Sequence, residues 1–546
     1  MNNSSRPSRA ARPSRAARPT IAVVGAGVAG LAAAWELVAG TDGDRPPTVE
    51  VIVLEASGRV GGNLQSAAFA GREVDLAADA FLARRPEATQ LCTELGLDDE
   101  LVPVGASGAS IWARHRLRPM PDGLNLGIPT RWWPLARSGI LSPTESVRVA
   151  WDLVGPHRRT GTAFGDRSVG DIVGARLGRP VVERLADPLI GGIHAGSADM
   201  LSAAATFPVL IAASNQPGSL MRRLALAGRL DRQRDTDPAG PGFWSLRHST
   251  ASLTDALVLG LRSRGVAIHT DAPVDLIERT RSGRSGRTRW RFGLGPADMT
   301  ERSAGPVGPL EVDGVILAVP AIEAAGLLAG HAPVASEMLG AIRYSSVAVV
   351  TLSLPAGTVG APLVGTGFLV PRTSDVDGRP ALITGCTYLS RKWPHLARPG
   401  DELLRVSVGR FGDERHLRLG DDELVGAVLA ELATLLDVRD EPLDALVTRW
   451  DRAFPQYEVG HLLRVGRIEQ SLDTVPGVAV AGAALRGVGI PACIASGRSA
   501  ARRVLASWEG APPRAATPAR GGDPAIDAVV EPTEATAAVG DQDPDT

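Results

Sequence analysis

Apolar and polar positions along this chain follow two rhythms, one of strands and one of helices. Ile21-Ala22-Val23-Val24 is a continuous apolar run, the pattern of a strand buried on both faces. Gly25 ends it. Over 28–39 small and apolar residues predict a helix, with Ala29, Ala32, Ala33 and Ala34 narrow enough to pack closely on a sheet. A second apolar strand over 49–54 closes on Glu55. The pattern then passes from an extended piece into a helix near Pro86. Residues 105–135 are rich in Gly, Pro and Trp and read as loop. Trp132 and Trp133 there form either a membrane- or substrate-facing lip or a pair tucked into the core. Helical spacing dominates 142–227. Strand, turn and amphipathic helix follow over 243–265, and two strands over 266–280. Residues 280–310 are polar and glycine-rich, as in a hairpin excursion, and 312–320 is another buried strand. Period-two alternation over 341–411 predicts antiparallel strands, and 421–436 an amphipathic helix. A strand, a glycine turn and a helix over 478–505 end the folded pattern.

This order predicts an α/β fold with a discontinuous, three-layer ββα Rossmann-like domain, an α+β domain and an inserted helical subdomain. The nucleotide-binding parts are expected at 20–62, 243–320 and 446–509. The α+β parts are expected at 63–86, 199–242 and 321–445, and the helical subdomain at 87–198. The arm 1–19, which contains RPSRAA twice, and the tail 510–546 lack the apolar residues to build a core and are expected to be disordered.

Composition narrows the classes. At 546 residues, 44% hydrophobic and a net charge of −2, the chain has no electrostatic case for nucleic acid. No apolar run reaches the length of a membrane span, and the basic arm lacks the apolar core of a secretory signal. Cys92, Cys386 and Cys493 fit neither a metal pattern nor a disulfide framework, so no metal site is expected and a reducing cytoplasm suits the chain. Lys392 is the one lysine.

The chemistry is written first in the glycines. Gly25, Gly27 and Gly30 follow the first strand in GxGxxG spacing. The first permits the tight turn, the second lets a pyrophosphate approach the backbone, and the third lets helix and strand pack closely. The helix N-terminus offers N–H groups and a positive dipole end to phosphate. Glu55, at the end of the second strand, suits a ribose diol. These residues predict dinucleotide binding, with NAD and FAD both open.

Taken together, GAGVAGLAAAWEL, VLEASGRVGGNLQS, LADPLIGGIHAGSADMLSAAATFP, GTGFLVPR, TGCTYLSRKWPH, WDRAFPQYEVGH and AGAALRGVGIPACI resemble the oxygen-dependent porphyrinogen oxidases of the flavin amine oxidase superfamily. The resemblance spans about 20–505 and is nearest to the type found in Gram-positive bacteria. It implies non-covalent FAD. Carried over residue by residue, it places Gly25, Ala26, Gly27, Val28, Ala29 and Gly30 at the pyrophosphate and Glu55 at the ribose. Ala56, Arg59, Gly61 and Gly62 follow in the second glycine turn. It also implies Val274 at the adenine, Trp450 near the flavin, and Val488, Gly489 and Ile490 at the start of a last helix aimed at the flavin N1/C2 carbonyl. The family's glycine-rich turn before a Phe here reads Ala77-Ala78-Asp79-Ala80, a departure that puts side-chain contacts there in question. Leu485 and Ala492 are two further departures.

The implied reaction is oxidation of coproporphyrinogen III to coproporphyrin III in haem synthesis, by three successive hydride transfers to flavin N5, with O2 as final acceptor and H2O2 released. Protoporphyrinogen IX is the alternative substrate. The implied setting is cytoplasmic, with peripheral membrane association left open, and with hand-over of product to a ferrochelatase. Oligomeric state is left open. Arg84 and Arg85 are candidates for the substrate's propionates, or else solvated arginines at a helix start. No catalytic acid or base is named, and His194 reads as a structural histidine rather than a base. Cys493 reads as a packed thiol rather than a flavin attachment point. An amine oxidase on the same fold usually carries a lysine soon after the strand that here reads 346–354, and Lys392 lies well downstream. A non-catalytic porphyrin carrier that keeps FAD is the reading of a different class.

Overall fold

The computed structural model describes residues 18–38, 48–155, 165–234, 241–281, 288–294 and 310–507. The expected arm and tail lie outside the described residues, apart from Arg18 and Pro19.

Five strands make a parallel sheet in the order Ala267–His269, Glu50–Leu54, Thr20–Val24, Gly314–Leu317, Val478–Val480. The apolar run at 21–24 is continuous because both of its faces are covered. Ile21 and Val23 enter one core beneath the helices Val28–Val38, Ala251–Ser263 and Ile490–Ala506. Ala22 and Val24 enter another, shared with a three-stranded antiparallel sheet of Val274–Arg281, Thr288–Leu294 and Leu310–Val312. These layers are the expected ββα arrangement. Each fully buried aliphatic side chain of this kind stabilises the fold by about 1.5–3 kcal/mol. The last helix buries Ile490, Ile494, Gly497, Ala501 and Val504, the three-and-four spacing of one helical face. It lies so close to the helix Val28–Val38 that a Cβ on Gly497 would overlap the Ala29 carbonyl.

The structure departs from the sequence expectation in several places. The apolar stretch at 312–320 is not one strand. Asp313 breaks it by bonding Thr20, accepting from its N–H (2.9 Å) and donating to its carbonyl (2.7 Å). The chain before Asp313 joins the antiparallel sheet and the chain after it joins the parallel one. The strand Phe243–Leu246, placed with the nucleotide-binding part, pairs antiparallel with Phe81–Leu82 and Leu101–Pro103 instead. The strand Asp444–Pro455, also placed partly there, pairs with Tyr344–Pro355 in a seven-stranded sheet. That sheet runs Asp444–Pro455, Tyr344–Pro355, Asp401–Val408, Ile383–Tyr388, Gly367–Leu369, Ser110–Trp112, Leu117–Pro119. Its last two strands come from the stretch that read as loop. Trp132 and Trp133 begin a helix, Trp132–Ser138, and go separate ways. Trp132 Nε1 donates to the Ser146 carbonyl (2.9 Å), whereas Trp133 is 60% exposed.

A helical cluster packs beside the large sheet around Val149, Ile172, Leu185, Phe207, Leu210 and Leu224. It continues past residue 198 to the helix Leu220–Arg234, further than expected. No described helix is long and apolar enough to cross a membrane.

Candidate active site

A cavity of about 840 Å³ runs from the ends of the parallel strands to the face of the seven-stranded sheet. Its first end is built by the glycines. Gly25 has a φ of +99°, and a Cβ there would sit 2.5 Å from the Ala318 carbonyl oxygen. A Cβ on Gly30 would overlap the Gly25 carbonyl, so the first turn of the helix lies directly against the turn before it. Gly27 faces Gly62, with only the Gly62 Cα within 4 Å of where a Cβ would sit, and Gly61 N donates to Ala26 O (2.8 Å). The two glycine turns therefore close on each other and leave bare backbone at the cavity. The helix Val28–Val38 carries no acidic residue in its first turn. Glu55 holds the corner: Oε2 accepts from Ala26 N (2.8 Å), and Oε1 accepts from Ser57 N (2.9 Å) and Oγ (2.8 Å). A carboxylate has further lone pairs to offer a ligand hydroxyl. Ala272 N donates to the Glu55 carbonyl (2.9 Å), which brings Ala272, Pro273 and Val274 to the same wall.

The middle of the cavity is lined by Ala77, Ala78, Ala80, Trp450, Val488, Gly489, Ile490 and Cys493. Trp450 Nε1 donates to the Leu76 carbonyl (3.0 Å), which fixes its ring. Gly489 begins the last helix without a side-chain cap, so its first N–H groups are available at the wall. Burial pushes the Cys493 thiol up to about 12, so it stays protonated and unreactive.

Asp79 turns away from the cavity. Lys392 Nζ donates to both of its oxygens (2.9 Å each), Trp393 Nε1 donates to Oδ2 (2.9 Å), and Arg405 lies 3.8 Å away. Burial works to raise its pKa most, but Lys392 and Arg405 hold it well below the usual carboxylate range. Asp75 sits behind the same turn. Its Oδ1 accepts from Thr250 N (2.8 Å) and Oγ1 (2.7 Å), and burial, with the charge of Asp79, pushes its pKa up to about 7.

The far end is walled by the helix Asp187–His194 and the strand Asp401–Val408. Along that strand Leu404, Val406 and Val408 enter the core, while Arg405 and Ser407 face the cavity. Gly409 and Arg410 follow. Gly409 has a φ of +87° and packs on the buried His416 ring. Arg410 is 7% exposed. Burial, with Arg372 nearby, brings its pKa down to about 10, so it remains a cation. Arg372 donates to Phe411 O (3.1 Å) and Gly196 O (2.9 Å) and ties this corner together.

Of the residues expected at a cofactor, Gly25, Gly27, Val28, Ala29, Glu55, Ala56, Gly61, Gly62, Ala77, Ala78, Ala80, Val274, Trp450, Val488, Gly489 and Ile490 line this one cavity. Ala26 and Gly30 lie inside the turn. Arg59 braces it by donating to Gly62 O (3.1 Å). Neither Arg84 nor Arg85 lines the cavity, and Arg85 precedes the helix Pro86–Glu94 beside Glu87 (3.3 Å). The arginines that do line it are Arg405 and Arg410, which form the cationic wall of the far end, and Arg452, which lies beside Asp451 (3.5 Å). Alternation in LLRVSV marked Arg405 as facing away from the core, but nothing marked Arg410. His194 is buried behind the wall, where burial, with His461 nearby, brings it down to about 4 and keeps it neutral. Among the described residues no group of side chains could hold a metal.

Residues 28–505 match the family of flavin containing amine oxidoreductases. The chain is 33% identical over 486 residues to a coproporphyrinogen III oxidase of Bacillus subtilis, covering 89% of this chain and 97% of that one. It is 34% identical over 526 residues to the enzyme of the same name from Propionibacterium freudenreichii, covering 91% and 92%. A solved structure from Exiguobacterium sp. 255-15, of a protein provisionally named a protoporphyrinogen oxidase, superposes with a TM-score of 0.76. Its sequence is 30% identical, and the match covers 90% of this chain and 99% of that one.

Proposed function

The chain belongs to the flavin containing amine oxidoreductase family, and from that premise we propose that it oxidises coproporphyrinogen III to coproporphyrin III with non-covalent FAD. The relatives named for this reaction, matched over nearly their whole length, are the observation that carries the reading. The cavity supports it, because bare glycine backbone lies at one end and a cationic wall at the other.

In this reading Gly25 to Gly30 and the facing Gly61–Gly62 turn hold the pyrophosphate, and Glu55 holds the ribose. Val274 flanks the adenine. Ala77, Ala78, Ala80 and Trp450 flank the flavin ring, and the N-terminal end of the last helix meets its N1/C2 edge. FAD, when bound, accepts hydride equivalents from the substrate and passes the electrons to O2. The chain's own part is to orient the porphyrinogen, exclude water and balance charge. His194 takes no part, being neutral and out of reach. The protonated Cys493 thiol supports non-covalent attachment. The apolar side chains of Trp133, Val147, Trp151 and Val154, exposed on two adjoining helices, support peripheral contact with a membrane.

The test compares growth of porphyrin fluorescence on coproporphyrinogen III and protoporphyrinogen IX with the same purified protein, with H2O2 measured alongside. Faster turnover of coproporphyrinogen is expected. Faster turnover of protoporphyrinogen would overturn the substrate. A yellow protein that never bleaches with either porphyrinogen under anaerobic conditions would overturn the enzymatic reading in favour of a carrier.

A further inference from the structure

We infer that Arg410 receives a carboxylate of the substrate and makes the cavity favour the more heavily carboxylated porphyrinogen. This rests on the porphyrinogen reading and adds the residue that reads the substrate's charge.

Among the described residues the Arg410 guanidinium has no hydrogen-bonded or ion-paired partner. It lines the cavity although nine-tenths of it is buried. Its Nε is buried with no hydrogen-bond partner, and Asp187 and Asp413, the carboxylates whose charge reaches it, form no ion pair with it. Other buried arginines are answered from within the chain, Arg72 by Asp401 and Arg176 by Asp152. A buried cation without an acceptor is costly unless a ligand brings the acceptor.

The surroundings keep the charge unneutralised. Asp187 already accepts from Ala198 N (2.8 Å) and lies 3.7 Å from Arg372 Nε. Asp413 accepts the guanidinium of Arg415 (2.7 and 2.8 Å). The two carboxylates nearest Arg410 are thus already engaged, Asp187 beside Arg372 and Asp413 by Arg415, and Arg410 keeps neither as an ion-pair partner at the cavity wall. The corner is also rigid. Gly409 is fixed against His416, Phe411 N donates to the Ala195 carbonyl (2.7 Å), and Arg372 bridges Phe411 and Gly196. A guanidinium held in advance loses little freedom on binding and offers a planar fork that matches a carboxylate. The phosphates of the cofactor have their own backbone cradle at the opposite end, so a carboxylate on the substrate is the anion this corner suits. Coproporphyrinogen III carries propionates where protoporphyrinogen IX carries vinyl groups, so an additional carboxylate receptor separates the two.

The test uses full-length, flavin-loaded Arg410→Met and Arg410→Lys. Charge-assisted hydrogen bonds of this kind predict a rise in KM for coproporphyrinogen III of about tenfold to a hundredfold in Arg410→Met. The effect should fall on KM more than on kcat, and less on protoporphyrinogen IX. Arg410→Lys should recover part of the loss. Fluorescence titration with coproporphyrin III and its methyl ester gives a second readout: Arg410→Met should weaken the acid and leave the ester unmoved. An unchanged KM, or equal weakening of acid and ester, would overturn the assignment. Should Arg410→Met fail to fold, equal affinity of the wild-type protein for acid and ester would overturn it too. If the wild-type protein oxidises coproporphyrinogen while the variants match it, the Arg410 assignment alone falls. If the wild-type protein oxidises neither porphyrinogen, the function reading falls and takes this partner with it.

Discussion

Replacing the chain's one lysine should destabilise the fold far more at neutral pH than in acid. Lys392 Nζ donates to both oxygens of Asp79 at 2.9 Å, and the two side chains are only 18% and 14% exposed. Lys392→Met strands a buried carboxylate. Breaking such a pair from one side costs about 3–5 kcal/mol. The Trp393 indole remains at 2.9 Å and Arg405 at 3.8 Å, which places the expected cost near the lower end, about 3 kcal/mol. The sign of the pH dependence follows from what Lys392 does to Asp79. In the intact protein the Asp79 pKa is held low, so the pair's stabilisation is present above the unfolded value of about 3.9 and lost as pH falls through the folded one. Without Lys392 burial dominates and the folded pKa rises. The variant's carboxyl then protonates within the folded state as pH falls, and its deficit shrinks between pH 8 and pH 5. Urea unfolding followed by tryptophan fluorescence at both pH values measures this. Asp79→Asn combined with Lys392→Met should recover part of the loss at pH 8, since the stranded carboxylate is gone and only Arg405 loses an ionic partner, one 3.8 Å away. A deficit under about 1 kcal/mol at pH 8, or one equal at the two pH values, would refute the reasoning.

Asp75→Asn keeps the acceptor for Thr250 and removes a carboxyl whose folded pKa is raised to about 7. That carboxyl's contribution is present in full only below its unfolded value of about 3.8 and is lost as pH rises to about 7, so the variant's advantage should grow by about 1–2 kcal/mol between pH 5 and pH 8, read from urea midpoints. Gly30→Ala drives a methyl into the Gly25 carbonyl and should cost about 1–3 kcal/mol and lower the flavin-to-protein absorbance ratio. Gly326→Ala, in a helix with nothing within 4 Å of the added carbon, should instead stabilise by up to about 1 kcal/mol and leave that ratio unchanged. Trp450→Phe keeps a ring but loses the bond to Leu76 O, and should cost about 1 kcal/mol with a shifted flavin spectrum on titration with FAD.

The nucleotide end was legible because its signals are local. An apolar run needs cover on both faces, and glycines at 25, 27 and 30 with an acid after the next strand leave few other geometries. The last helix was legible for the same reason, although it lies more than four hundred residues away. Asp313 hid a strand boundary because an apolar run on either side of it reads as one strand. Only the bonds to Thr20 reveal the change of sheet. The short strands at 110–119 were hidden by their length and by the prolines and glycines around them. Arg84 and Arg85 were favoured by proximity in sequence to the turn at 77–80, yet the wall is closed from the other side by a strand that arrives more than three hundred residues later. Arg410 could not be found by pattern, because an unpartnered arginine is defined by what its neighbours are already bonded to.

The turn at 77–80 joins these observations. Its sequence departs from the expected glycine-rich pattern by placing an aspartate among alanines, and a charged residue beside an apolar flavin ring would be a fault if it faced the ring. It faces the other way. Ala77, Ala78 and Ala80 line the cavity, while Asp79 reaches back to Lys392, Trp393 and Arg405. Thr250 Oγ1 lies within hydrogen-bond distance of both Asp75 Oδ1 and the Ala78 carbonyl (2.7 and 2.8 Å), so the helix that follows it grips the same turn from behind. A backbone that glycines would leave loose is therefore fixed by long-range bonds, to the start of one helix, to the short helix Leu389–Lys392 and to an inner strand of the large sheet. The same Arg405 that steadies Asp79 faces the cavity, so the turn and the cationic wall are one charge network. This predicts that removing Asp79 should loosen Arg405 as well. Asp79→Asn should therefore raise the KM for an acidic substrate. A KM identical to that of the parent protein, with flavin retained, would show that the two ends of the network act independently.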